Sequence, residues 1–214
     1  MFIIIFSFHQ VNSRALYGFW VMPDVQWGGT WMGAQKIEPN EVIEFWQNAG
    51  RNKWFSQDDS FGKSIHEKFF RLWQTALSGR LREWQKSDEG LLALALILDQ
   101  FPRKMFQNDP RAFCSDHDAL KIARIAVEND ADKRIEKDLR GFFYMPFEHS
   151  EKLSDQEQSI ELFKSLNDQD LLSEAEIRHD IIKRFGRFPQ RNKIVGRKTK
   201  PDEQAFLNDN DIDS

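Results

Sequence analysis

From residue 39 onward, the apolar positions of this chain recur at helical spacing. Pro39 suits a first helical position, and Val42, Ile43, Phe45 and Trp46 follow it in register. Ile65, Phe69, Leu72, Trp73 and Ala76 mark one face of an amphipathic helix, with Gly79 placed as its C-terminal cap. Ser87 is a candidate N-cap. The run GLLALALILDQF after it is apolar nearly all round, which predicts a central helix buried on most faces and stopped near Pro102. Ser115 with Asp118 opens a helix carrying Leu120, Ile122, Ala123, Ile125 and Ala126, and residues 135–147 read as another that Pro146 kinks or ends. SDQE at 154–157 and SEAE at 173–176 are capping boxes. The first heads a helix with Ile160, Leu162 and Phe163, and the second one with Ile177, Ile181, Ile182 and Phe185, ended by Gly186. Pro201 starts a last short helix. No run alternates as a strand would. The pattern predicts an all-α domain of about eight short antiparallel helices, with no clean repeat period.

A chain of 214 residues fits one sizeable core, and 40% hydrophobic with 30% charged residues describes a soluble globular protein. With 19 Phe and 7 Trp, that core should be rich in aromatic rings. The single cysteine, Cys114, excludes an internal disulfide and suits a reducing, cytoplasmic compartment; it reads as a small half-buried residue rather than a nucleophile. MFIIIFSF at the start is too short to span a bilayer and carries no leading positive charge, so a secreted protein is the runner-up and no membrane partner is implied. The stretch after it has no helical or strand period. Residues 1–35 are therefore expected to be a poorly integrated extension, with Met32 a candidate true start. Residues 36–207 should form a single helical domain and 208–214 an acidic tail.

The net charge of −4 hides an asymmetry. Residues 178–200 hold nine Lys or Arg against one acid, so the rest of the chain carries about −12. Five acids and no base follow from residue 201. Overall acidity argues against nucleic acid as a partner.

Cofactor and nucleophile signatures are missing: no GxGxxG, Walker loop, HExxH, paired CxxC or GxSxG is present, and no cofactor or metal is expected. Three polar clusters remain. DQFPR sets Asp99, Gln100 and Arg103 at the end of the buried run. Buried there, they must find partners, and Arg103 reaches Asp99 one turn back if the helix persists past Phe101. YMPFEHSE gathers Tyr144, His149 and Glu151 around a proline bend, the material for proton transfer near neutral pH or for an ordinary helix end. RFGRFPQRN at 184–192 follows His179 and Asp180. Gly186 and Pro189 end the helix, Phe185 and Phe188 pin the loop, and Arg184, Arg187 and Arg191 are left to capture carboxylate or phosphate, or to knot the loop to nearby acids. His179 and Asp180, with His149 and Asp202, also allow a minor reading as a metal-dependent phosphohydrolase.

DQFPRK, RAFCSDHDAL, FFYMPFEHSEKLSDQEQS and HDIIKRFGRFPQRN, in this order and spacing, resemble the bacterial domain-of-unknown-function family 924. The resemblance runs from about residue 38 to residue 207 and implies a tetratricopeptide-like helical arrangement, without implying a function. By that resemblance Asp99, Gln100, Pro102, Arg103 and Arg111 belong to the family pattern. Tyr144, His149, Ser150, Glu151, Gln156 and His179 join them, and the last motif adds Arg184, Gly186, Arg187, Arg191 and Asn192. Lys104 stands where the family usually has Asn, and Gln190 where it usually has His. The expectation is a polar pocket for a small anionic ligand. Asp99, Gln100, Arg103, Arg111, Tyr144, Arg184, Arg187, Arg191 and Asn192 would bind the ligand, with His149, Glu151 and His179 as acid–base candidates, and whether the pocket is catalytic stays open. The alternative is a tetratricopeptide-like interaction module for acidic peptide ends.

Overall fold

A computed structural model of the chain describes residues 37–56 and 58–209. The expectations for residues 1–36, including Met32, and for the end of the acidic tail lie outside the described residues. Those described are all-helical, without a strand. In chain order the helices are α1 (Pro39–Phe55), α2 (Asp59–Leu77), α3 (Asp88–Ala95), α4 (Phe101–Met105), α5 (Asp116–Glu128), α6 (Ala131–Arg134), α7 (Lys137–Glu148), α8 (Leu153–Lys164), α9 (Gln169–Phe185) and α10 (Pro201–Asp209). A π-helical turn, Leu96–Gln100, joins α3 and α4 into one continuous rod, so about nine helices stand where eight were expected. The unforeseen one is the single turn α6.

The rod is the centre. Residues 90–102 are buried without exception, as the all-round apolar run foretold, with α1, α5 and α7 against α3 and α2 against α4. Helices α2 and α4 approach so closely that a Cβ on Gly62 would lie 2.3 Å from the Lys104 carbonyl oxygen, which reserves that position for glycine. Rings fill the surrounding space: Trp46 stacks on Trp54, both meet Phe142 edge-on, and Phe69 packs on Phe101 at 5.0 Å.

Several local expectations are corrected. Pro102 does not stop the rod, because it falls in the first turn of α4, where a missing N–H does little harm. The π turn precedes it, with the Phe101 N–H donating five residues back to the Leu96 carbonyl. Pro102 has no N–H to offer the Leu98 carbonyl, and the hydroxyl of buried Ser115 donates to it instead, at 2.5 Å. Ser115 occupies the N-cap position of α5 without a side-chain cap bond, its hydroxyl being committed to the rod. Pro146 likewise lies inside α7, which starts at Lys137 because Ile135 is extended. Neither capping box forms. Helix α8 begins at Leu153, one residue before Ser154, and α9 begins at Gln169, where Asp168 accepts the Leu171 N–H and leaves Ser173 in the interior. Ile177, expected inside, is exposed; α9 buries only Ala175 and Ile182.

Removing the Ser115 hydroxyl should expose what the rod lacks. Ser115→Ala leaves the buried Leu98 carbonyl without its side-chain donor, and a loss of about 1–3 kcal/mol is expected in urea unfolding. A loss within error would show that the carbonyl finds another donor.

Candidate functional site

The π turn delivers two neighbouring residues, Asp99 and Gln100, into the interior together. Asp99 is fully buried, and a buried carboxylate must be compensated. Its two oxygens lie 2.9 and 3.0 Å from His149 Nδ1; the Gln100 amide donates at 2.6 Å, and Arg103 Nη1 pairs at 3.2 Å. Arg103 also donates to the Asp99 carbonyl at 2.8 Å, the one-turn reach that the sequence suggested. Burial opposes ionisation of Asp99, but Arg103, His149 and Gln100 outweigh it and hold the carboxyl at about 2. Arg103 continues to Asp116 at 2.8 and 3.0 Å, and Arg191 donates to the same carboxylate at 3.2 Å. The Arg191 guanidinium lies over the Phe113 and Phe188 rings, 4.6 and 4.5 Å from their centroids. Burial, ahead of the acids around it, lowers Arg191 to about 10.

His149 stands just past the C-terminal end of α7, where carbonyls lack intrahelical donors. Buried Gln156 supplies them, its amide donating at 2.7 Å to the carbonyls of both Glu148 and Ser150. Asp155, itself buried, accepts from Arg124 and from the Ser150 hydroxyl and so fixes the same corner. Because the Asp99 carboxylate only accepts, His149 Nδ1 carries the proton and Nε2 keeps its lone pair. Burial and the nearby Arg103 charge lower the imidazole to about 3, so it is neutral at physiological pH. Its Nε2 lies 3.7 Å from Oε1 of Glu148, a buried carboxyl whose other neighbour is Arg178 of α9, at 3.6 Å. Burial pushes Glu148 up to about 7; Arg178 opposes the rise, while Asp99 and Glu174 add to it. Arg178 makes its close contact with Glu174, at 2.8 Å.

Of the residues singled out in the sequence, Asp99, Gln100, Arg103, His149 and Arg191 come together here. The others are held elsewhere. Glu151 accepts the Phe188 N–H at 2.8 Å and is clamped by Arg197 at 2.7 and 2.9 Å, which docks the 184–192 loop. Arg187 forms a two-bonded pair with buried Glu203, both contacts 2.7 Å, and Asn192 donates to Glu203 at 3.0 Å. Tyr144 donates to buried Asp132 at 2.6 Å. Arg111 pairs with Asp109 over the Phe106 ring, Arg184 lies on Phe185 and Phe206, and His179 meets Asp180 at 3.1 Å. Among the described residues no group of three or more His, Cys, Asp or Glu side chains is placed to hold a metal, so His149, His179, Asp180 and Asp202 are not gathered as the phosphohydrolase reading requires. A cavity of about 470 Å³ opens elsewhere, beside the α8–α9 turn between Arg51, Lys137 and Asp170, and no cluster residue lines it.

Three members of the cluster went unread: Asp116, Glu148 and Arg178. Glu148 carried the same signal as Asp99, an acid closing an apolar helical run, here FFYMPF; Glu151 drew attention instead by standing beside His149 and Ser150.

Residues 42–211 match the family model described as bacterial protein of unknown function (DUF924). No curated protein matches the chain. The solved structure of a protein of unknown function from Agrobacterium tumefaciens is similar at 37% identity with a TM-score of 0.77, the match covering 80% of this chain and 97% of that one.

Two outcomes follow from these pairings. In the unfolded chain Glu148 titrates near its ordinary 4.5 and in the folded one near 7. Its stabilising contribution is thus full below 4.5 and lost as pH rises through 7. His149 acts in the opposite sense, its folded value lying below its ordinary 6.5, so the test is a difference between variant and parent. Glu148→Gln should gain about 3 kcal/mol on the parent between acid pH and pH above 7 in urea unfolding; a constant offset would assign the titration to another group. Arg187→Ala should cost about 1–2 kcal/mol by removing the two-bonded counter-charge of Glu203, which keeps the Asn192 amide and Lys200 N–H as donors, and a melting temperature equal to the parent's would refute that structural role.

Proposed function

We propose, on the premise that the chain belongs to the DUF924 family of bacterial proteins of unknown function, that it binds a small anion beside Glu148 and exchanges a proton with it there. The observation that carries this reading is a buried carboxyl that makes no hydrogen bond to its counter-charge: Glu148 stands 3.6 Å from Arg178 and 3.7 Å from His149. Such a carboxyl, pushed up to about 7, is half-ionised near neutral pH, where a general acid–base works best. His149, locked by Asp99 with its Nε2 lone pair on the Glu148 side, positions that carboxyl. Its own low basicity leaves the proton-carrying role to Glu148. Arg178, 30% exposed, supplies a cation reachable from solvent. A π turn at the heart of the cluster adds support, since such turns recur at functional sites.

In this reading Arg103 and Arg191 frame the site rather than hold the ligand, because Asp99 and Asp116 already neutralise them. The acidic-peptide reading loses support for a related reason: Arg187, Arg191 and Arg197 of the basic stretch are each bound to a carboxylate. Cys114, half-buried with its thiol raised by burial to about 11, is chemically quiet, in keeping with a cytoplasmic protein. Among the described residues no helix is long and apolar enough to cross a membrane.

A thermal-shift series on the full chain tests the reading. Small carboxylates, phosphate and sulfate are titrated against the parent and Arg178→Gln. At least one anion should raise the melting temperature with concentration, by mass action. The gain should shrink as pH rises through 7 and Glu148 becomes negative, and Arg178→Gln should weaken binding about tenfold. Binding that ignores Arg178→Gln would sink the proposal.

A further inference from the structure

Arg178 lies between two carboxylates and is turned toward the outer one. Its Nη1 is 2.8 Å from Oε2 of Glu174, one turn earlier on α9, and 3.3 Å from the Glu174 carbonyl, but 3.6 Å from Oε1 of buried Glu148. Glu174 is 58% exposed, and an exposed pair of this spacing on a helix is weak and open to competition. From this arrangement, and resting on the anion-binding reading above, we infer that the ligand's anionic group is a monocarboxylate and that Glu174 holds its place until it arrives.

Charge and shape both select the carboxylate. Asp99 and Asp116 consume Arg103 and Arg191, and His149 is neutral, so Arg178 is the cation left for a ligand. Glu148 and Asp99 lie behind it and Glu174 beside it. A dianion would meet repulsion from Asp99 and Glu174, and from Glu148 once it ionises, whereas a single negative charge matches what Glu174 now provides. A planar two-oxygen group also suits a guanidinium fork, of which Glu174 engages only Nη1. Glu174 thereby becomes a specificity-determining residue: the ligand must replace it with a group of the same kind, and the exchange leaves the charge around Arg178 unchanged.

Calorimetric titration of the full chain, at about pH 6 where Glu148 is mostly protonated, decides the matter with formate, acetate and propionate against phosphate and sulfate. The carboxylates should bind more tightly than the oxyanions. Glu174→Gln should tighten them about threefold by removing the internal competitor, with Glu174→Ala doing the same, and Arg178→Gln should weaken binding about tenfold with its far-ultraviolet dichroism unchanged. Tighter phosphate or sulfate binding that Arg178→Gln weakens would overturn the carboxylate assignment and leave the anion-binding reading standing. Carboxylate binding that neither Glu174 variant improves would overturn the place-holder role. No binding by any of these anions to the parent or to Glu174→Gln would bring down both.

Discussion

A carboxylate sealed from water organises this protein. Asp99 sits at the middle of a rod whose neighbours are almost all apolar, and its charge has to be met there or not at all. Meeting it recruits the end of α7 through His149 and the first turn of α4 through Arg103. The excess charge of Arg103 recruits Asp116 at the start of α5, which in turn seats Arg191 from the loop after α9. Four separate stretches of chain are thereby fastened at one point by the demands of a single buried ion.

The cluster is nearly neutral as a whole, and that balance explains its one exception. Asp99 and Asp116 face Arg103 and Arg191 at hydrogen-bonding distance, and each pair lowers the cost of burying the other. Glu148 enters the same space without a hydrogen-bonded partner of its own, because Arg178, 3.6 Å away, is drawn outward to Glu174. Its carboxyl therefore keeps a proton far more readily than an ordinary glutamate does. The network thus leaves Glu148 without a hydrogen-bonded counter-charge, while its well-matched members hold one another.

What could be read in advance depended on range. Helix positions and the aromatic core were legible because period and ring content are local properties, and Asp99 with Arg103 was legible because one turn of helix spans them. The two capping boxes misled: Asp168 outcompeted Ser173 from five positions earlier, and α8 was already under way at Leu153 before Ser154. Pro102 misled because its usual penalty was cancelled by a hydroxyl from another segment. In the loop at 184–192 Phe188 is buried and Phe185 half-buried, and Arg187 and Arg191 are paired with carboxylates of the protein itself. The partners of those arginines, Glu203 for Arg187 and Asp116 for Arg191, lie 16 and 75 residues away, where no local rule points. Glu148 was within reach, had the reasoning applied to Asp99 been carried to the end of α7.

The bond from Ser115 to the Leu98 carbonyl ties secondary structure to assembly. A helix ordinarily completes its hydrogen bonds from within and can flicker into shape before it packs. This rod has a carbonyl that its own proline declines to meet, and the donor comes from 17 residues away at the head of α5. The widened turn and the docking of α5 are thus one event. That turn carries Asp99, and α5 brings as its first residue Asp116, which balances the Arg103 that Asp99 requires. The shape of the rod and the seating of its buried charge therefore rest on the same contact between segments.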